Sequence, residues 1–200
     1  MPIQYGDSIM EATKHCRSSA SIFDVSHMLG SSIRGKDAVA FTESIVVGDI
    51  AGLKDGTGTL SVVTNEQGGI IDDTVVTKVN SEDIYIVLNG ACSEKDQAHI
   101  NKHLAKWKGE GKDVEFIVHS DRSLLAFQGP KAVDVLQPLC DVDLSKLYFG
   151  KGRGSRVERI VTPNRRILMP TLEKVSACVS HHCRSAVPPW SDRTARWYDE

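Results

Sequence analysis

The chain has 200 residues, of which 40% are hydrophobic and 25% charged, and its net charge is −2. That balance is ordinary for a globular protein and gives no reason to expect nucleic acid or an anionic membrane surface as a partner. No run approaches the roughly 18 apolar residues of a membrane span, and five scattered cysteines argue against a disulfide framework and fit a reducing compartment.

The total charge hides a break in composition. Residues 1–150 carry 11 Lys and 3 Arg against 21 acids, a balance of −7, whereas residues 151–200 carry 2 Lys and 8 Arg against 5 acids, a balance of +5. Two of the three Trp and four of the seven Pro also fall in the last quarter. The opening Met1-Pro2-Ile3-Gln4 reads as neither a signal peptide nor an Arg/Ser-rich presequence.

In chain order, "DSIMEATKHCR" offers a weak helix start at Asp7. "SIFDVSHMLGSSIRG" predicts two short strands around a bend near residues 28–31. Residues 36–47 place Val39, Phe41, Ile45 and Val46 at roughly helical spacing. From Gly58 the pattern changes to period two. "GTLSVVT", "IIDDTVVTKV" and "DIYIVLN" are β-branched runs separated by turn-forming stretches, which predicts an antiparallel meander. Ser93 opens a helix with Asp96 at its third position as a weak capping-box variant. Ile100, Leu104 and Trp107 (with His103) form its stripe, and Gly109 and Gly111 supply the stop. "VEFIVH" and "SLLAFQ" follow as strands, and Gly129-Pro130 opens a short helix. Strands and helices mix without regular βαβ alternation, so the expected class is α+β, with antiparallel sheets and flanking helices.

The stretch "GGIIDDTVVT" at residues 68–77 sets two acids near the start of a strand. Alternation puts Ile71, Asp73, Val75 and Val79 on one face, and Ile70, Asp72, Thr74, Val76 and Lys78 on the other. On this reading Asp73 points with the apolar set and Asp72 faces solvent. A carboxylate on a core face is costly unless it is paired, hydrogen-bonded or lining a cavity, so Asp73 is the acid expected to do chemistry. The alternative is an aspartate at a strand end, bonded to the glycine turn.

Five motifs occur in order: "FDVSHM", "VVGDI", "GTLSVVTNEQGGIIDDTVV", "EKDQAHINKHL" and "LLAFQGPKAVDVLQ". Together they resemble the aminomethyltransferase of the glycine cleavage system, the T-protein, over residues 2–150. The resemblance implies the N-terminal part of a three-domain ring around a folate channel. Residues 1–28 plus 114–150 would form an incomplete first domain, and 29–113 an inserted second domain. It also implies transfer of an aminomethyl group from a lipoyl carrier protein (H-protein) to tetrahydrofolate, releasing ammonia. No nucleic acid and no membrane is implied as a partner. The expected location is the mitochondrial matrix in a eukaryote and the cytoplasm otherwise.

The family's essential acid matches Asp73. The resemblance places Met28, Val75 and Asn89 near the pterin. Met28 is otherwise a core methionine beside a strand bend, and Asn89 otherwise caps the turn before Ala91. His27 is assigned no role.

Past Gly150 the resemblance is expected to stop. Residues 151–200 show neither period and are expected to be disordered, as out-of-frame or intron-derived translation. The family also has a segment ahead of the "MPIQY" equivalent, so a truncated form, weakly active or inactive, is expected. Cys178, His181, His182 and Cys183 crowd too closely to enclose one metal ion, so no metal site is expected. The alternative function is that of a non-enzymatic folate-binding relative acting in iron–sulfur assembly. Its "K-G-C-Y-x-G-Q-E" type signature is not found. A sarcosine or dimethylglycine dehydrogenase region is disfavoured because no flavin-binding glycine fingerprint appears.

Overall fold

The computed structural model describes residues 6–120 and 124–147. The expectations for residues 151–200 lie outside the described residues. Helix α1 (Ile9–Ser18) starts two residues later than Asp7 suggested, because Ser8 caps it. The Ser8 hydroxyl accepts from the Glu11 backbone N–H, and Glu11 reaches back to the Ser8 N–H. Strand β1 (Ser21–Asp24) and strand β2 (Leu29–Arg34) follow, and the bend between them comes slightly earlier than expected, at residues 26–28. Helix α2 is short, Ala38–Glu43.

The period-two region forms strands β3 (Thr57–Thr64), β4 (Ile70–Asn80) and β5 (Asp83–Leu88), paired antiparallel as the predicted meander. Helix α3 (Ser93–Gly109) connects β5 to strand β6 (Glu115–Val118), and Gly111 accepts the positive φ of 77° just past the helix end. Strand β7 (Leu125–Gln128) and helix α4 (Ala132–Leu136) complete the described elements, apart from short 3-10 turns.

The strands form two antiparallel sheets, one of order β3-β4-β5-β2-β6 and a two-stranded one of β1 and β7. With helices packed on an antiparallel sheet, the architecture is the expected α+β. Strand β6 lies just beyond the expected boundary at residue 113, yet it is hydrogen-bonded to β2 within the larger sheet. Sheet membership therefore groups β6 with the 29–113 stretch, and β1 with β7.

One core joins the larger sheet to both longer-range helices. From β5, Ile84, Ile86 and Leu88 alternate inward and are fully buried; Phe41 of α2 and Ile100 of α3 meet them. Phe41 stands edge-on to Trp107, with ring centroids 5.5 Å apart and planes at 89°. The helices thus cover one face of the sheet, and the other face at β4 carries exposed residues.

Candidate functional site

The site is built where β4 begins and β5 ends. The hairpin that delivers β4 turns at Gly68, whose φ of 78° suits only glycine well. Within it the Asn65 side-chain oxygen accepts from the Gln67 and Gly69 backbone N–H groups at 3.0 and 2.8 Å. Strand β4 then sets Asp72 opposite Val63 and Asp73 opposite Val62. Strand β5 ends at Leu88, leaving Asn89 as the first residue beyond it.

Asn89 binds both acids. Its side-chain amide donates to Asp73 Oδ1 at 2.9 Å, to Asp72 Oδ1 at 3.1 Å and to the Asp73 carbonyl at 3.3 Å. Two N–H bonds therefore serve three acceptors. The Asp73 backbone N–H also donates to Asp72 Oδ1, at 3.0 Å. No hydrogen bond reaches Asn89 Oδ1 among the described residues, so the amide keeps an acceptor for another molecule.

The face assignment expected from alternation is reversed. Thr74 and Val76 are the buried residues of β4, whereas Asp73 and Val75 lie on the exposed face, Val75 at 40% exposure. Asp72, on the Thr74 side, is the half-buried acid. Both faces of this strand carry β-branched apolar residues, so its own alternation is ambiguous. The neighbouring strand decides the matter: Val76 stands opposite Ile86, which belongs to the strictly alternating buried set of β5. Asp73 therefore does not face the core, and the argument for its chemistry from burial falls away. What remains is its bond to Asn89 and its open approach.

The structure also brings in residues given no chemical role from the sequence. Asp96 in the first turn of α3 is wholly buried. It caps nothing: the N-cap position belongs to Cys92, which makes no side-chain cap bond. Its carboxyl lies instead beside that of Asp72. Burial, then the bond to Asp72 and the Asp72 charge, push Asp96 up to about 6. Burial alone would raise Asp72 too. Bonds from Asn89, Asp96, the Asp73 N–H and the Cys92 thiol outweigh it and hold Asp72 below the usual carboxylate range. Lys95 extends across β4 and donates to the Ile71 carbonyl at 2.7 Å. An acid three residues into a helix resembles a cap, and only the sheet packed beneath α3 distinguishes the two roles.

Met28 joins the site through the backbone. It is half-buried and immediately precedes Leu29, which pairs with Leu88, the residue before Asn89. Gly90 lets this loop close on the strand end, since a Cβ there would lie 2.1 Å from the His27 carbonyl oxygen. Asp73 and Asn89 are thus in direct contact, Val75 shares the face of Asp73, and the Met28 backbone runs beside the same strand end.

The family model described as the GCVT N-terminal domain matches residues 1–166, running past Gly150. Among curated proteins, the mitochondrial aminomethyltransferase of Mesembryanthemum crystallinum is 60% identical over 151 residues, covering 76% of this chain and 37% of that protein. The mitochondrial aminomethyltransferase of Homo sapiens is 47% identical over 149 residues, covering 74% and 37%. Among solved structures, glycine cleavage system aminomethyltransferase T from Bartonella henselae superposes with a TM-score of 0.68 at 32% identity, covering 76% of this chain and 40% of that one. The chain thus spans little more than a third of the length of the curated relatives it matches. By its motifs, its family match and its fold, the chain belongs to the aminomethyltransferase family of the GCVT N-terminal domain.

Proposed function

We propose that this chain carries the tetrahydrofolate-facing acid of an aminomethyltransferase of glycine cleavage, with Asp73 as the catalytic carboxylate and Met28, Val75 and Asn89 as folate-binding residues. The observation that carries the proposal is the Asn89–Asp73 hydrogen bond of 2.9 Å on an exposed sheet face. One Asp73 oxygen is held by the amide, and the open face leaves the carboxylate free to receive a second donor. Asn89 Oδ1 adds another acceptor beside it, and Val75 an apolar surface. Two acceptors next to an apolar patch suit the N–H-rich edge of a reduced pterin.

Tetrahydrofolate supplies the amine nucleophile that takes up the one-carbon unit. Asp73 accepts a hydrogen bond from that amine and offsets the positive charge that grows there. Asn89 fixes the orientation of the carboxylate in advance, so little reorganisation is left for the reacting complex. The aminomethyl donor in this reading is a lipoyl carrier protein, and the mitochondrial names of the relatives support a mitochondrial setting. The division into a discontinuous first domain and an inserted second domain is kept, with β6 grouped into the second.

Equilibrium dialysis of tetrahydrofolate against the 200-residue chain tests the assignment. Asp73→Asn is expected to weaken binding about tenfold, the cost of one charge-assisted hydrogen bond. Equal affinity in the two proteins rejects Asp73 as the folate-facing acid.

A further inference from the structure

The contact between Asp72 and Asp96 does not close if both carboxyls are ionised. Both Asp96 oxygens and Oδ2 of Asp72 are buried, and none of the three has a hydrogen-bond donor among the described residues. The two carboxyls nonetheless lie side by side. Ionised carboxylates only accept, so a hydrogen bond between them requires a proton on one. Their environments assign it. Asp72 receives the Asn89 amide at 3.1 Å, the Asp73 N–H at 3.0 Å and the Cys92 thiol, all of which favour its charged form. Asp96 is 0% exposed and neither of its oxygens meets a donor among the described residues, which favours its neutral form.

The charged groups that act on Asp96 are Asp72 from β4 and Lys95 on α3 itself, with the Cys92 thiol from the turn before α3 directed to Asp72 and His99 one turn further along the helix. Lys95 turns its ammonium to the Ile71 carbonyl, and the ring of His99 lies against His103 at 4.6 Å. Neither donates to Asp96.

We propose that Asp96 is a protonated positioning residue: its proton is shared with Asp72, and this pair holds the Asn89 amide in place between Asp72 and Asp73. The chain of contacts is continuous, from Asp96 to Asp72 to the Asn89 amide to Asp73. Loss of the proton sets two buried negative charges against each other, and Asp72 is then driven away from the position that holds Asn89. For its bearing on folate, the proposal rests on the function proposed above; the shared proton and the hold on Asn89 stand without it.

Two measurements on the 200-residue chain separate these parts. The first follows the Asn89 side-chain amide by 15N–1H NMR between pH 5 and 8, identified by its loss in Asn89→Ala. The wild-type resonance is expected to shift with a single midpoint in the weakly acidic range. In Asp96→Asn it should stay still, because the new amide donates to Asp72 and does not ionise. A resonance that titrates alike in both proteins, or in neither, overturns the shared proton. The second follows tetrahydrofolate affinity by equilibrium dialysis. Asp96→Asn should bind within about twofold of wild type at pH 5.5 and lose the pH dependence, while Asp96→Ala should bind about tenfold more weakly. Wild-type affinity and an unchanged pH profile in both variants overturn the link from Asp96 to the folate site. If the wild-type chain binds no tetrahydrofolate while the Asn89 resonance titrates as expected, the functional reading fails and the positioning role of Asp96 is upheld.

Discussion

Asn89 holds Asp73 by a side-chain hydrogen bond of 2.9 Å and Asp72 by another of 3.1 Å, so one amide from the end of β5 spans two adjacent acids at the start of β4. Removing it leaves two neighbouring carboxylates with repulsion and less compensation. Asn89→Ala is expected to lower stability by about 1–3 kcal/mol, the usual cost of stripping a partner from a partly buried polar group. Asn89→Asp, which adds a third acid, should lower it further. Urea unfolding of both variants and the wild-type chain at neutral pH checks the order, and wild-type stability in Asn89→Ala would show that the amide donors are dispensable.

Asp73 lies exposed on the sheet face away from the helices, so its substitution separates folding from function. Asp73→Asn should change stability by no more than about 0.5 kcal/mol, because the position is exposed and the new side chain keeps an oxygen for the Asn89 amide. Its tetrahydrofolate affinity should nevertheless fall. Val75→Asp, two residues along the same face, should also keep the fold and weaken folate binding by bringing a charge to the apolar patch. A collapse of stability in either variant would show that this face is packed in solution.

The acid pair gives a pH dependence of definite sign. Asp96 is raised to about 6, mainly by burial and then by Asp72, whereas the unfolded chain releases the same proton near 3.8. Between those values the folded protein holds a proton that the unfolded chain has lost, so stability falls as pH rises through this window and levels off above it. Asp72 acts in the opposite sense: held below its ordinary range, it contributes stability at neutral pH that is lost under strong acid. Asp96→Asn should remove the decline between pH 4 and 6, a difference of up to about 3 kcal/mol. Urea midpoints at pH 4, 5, 6 and 7 measure it, and parallel curves for the two proteins would exclude a raised carboxyl at residue 96.

The legibility of each element follows from where its stabilising contacts lie. The meander was readable because its turns are local: Asn65 and Gly68 determine their own hairpin within five residues. The stripe of α3 was readable for the same reason, since Ile100 and Leu104 are one turn apart and both are buried. The buried face of β4 was not, because Ile71 and Val75 suggest one face and Thr74 and Val76 the other. The decision rests on the pairing of Val76 with Ile86, which no local pattern reveals. Asp96 was missed in the same way, as its partner Asp72 stands 24 residues earlier on another element. Family motifs pointed to Asp73 and Asn89 one by one; their hydrogen bond follows from the register of β4 and β5.

Core packing beneath the site can be tested without touching it. Phe41 is fully buried and meets the edge of Trp107, joining α2 to α3 over the sheet. Phe41→Ala leaves a cavity that the surrounding strands cannot readily close, and about 3–5 kcal/mol should be lost. The urea midpoint should drop and the Trp107 fluorescence should shift toward the red. A loss below about 1 kcal/mol would mean that α2 is loosely attached.

Gly90 connects backbone geometry to the site most directly. A methyl group there would meet the His27 carbonyl oxygen at 2.1 Å and its carbon at 2.9 Å, and both are backbone atoms that cannot rotate away. Gly90→Ala must therefore push the 25–28 loop off the end of β5 or distort the turn that follows Asn89. Either movement shifts Met28 relative to Asn89, so a stability loss of about 1–3 kcal/mol should accompany weaker tetrahydrofolate binding. Gly109→Ala is the matching control, because open space surrounds that position and alanine favours a helix. It should be neutral or slightly stabilising. If Gly90→Ala behaves like the control in both assays, the loop bearing Met28 does not need its close approach to the strand end, and Met28 loses its structural claim on the site.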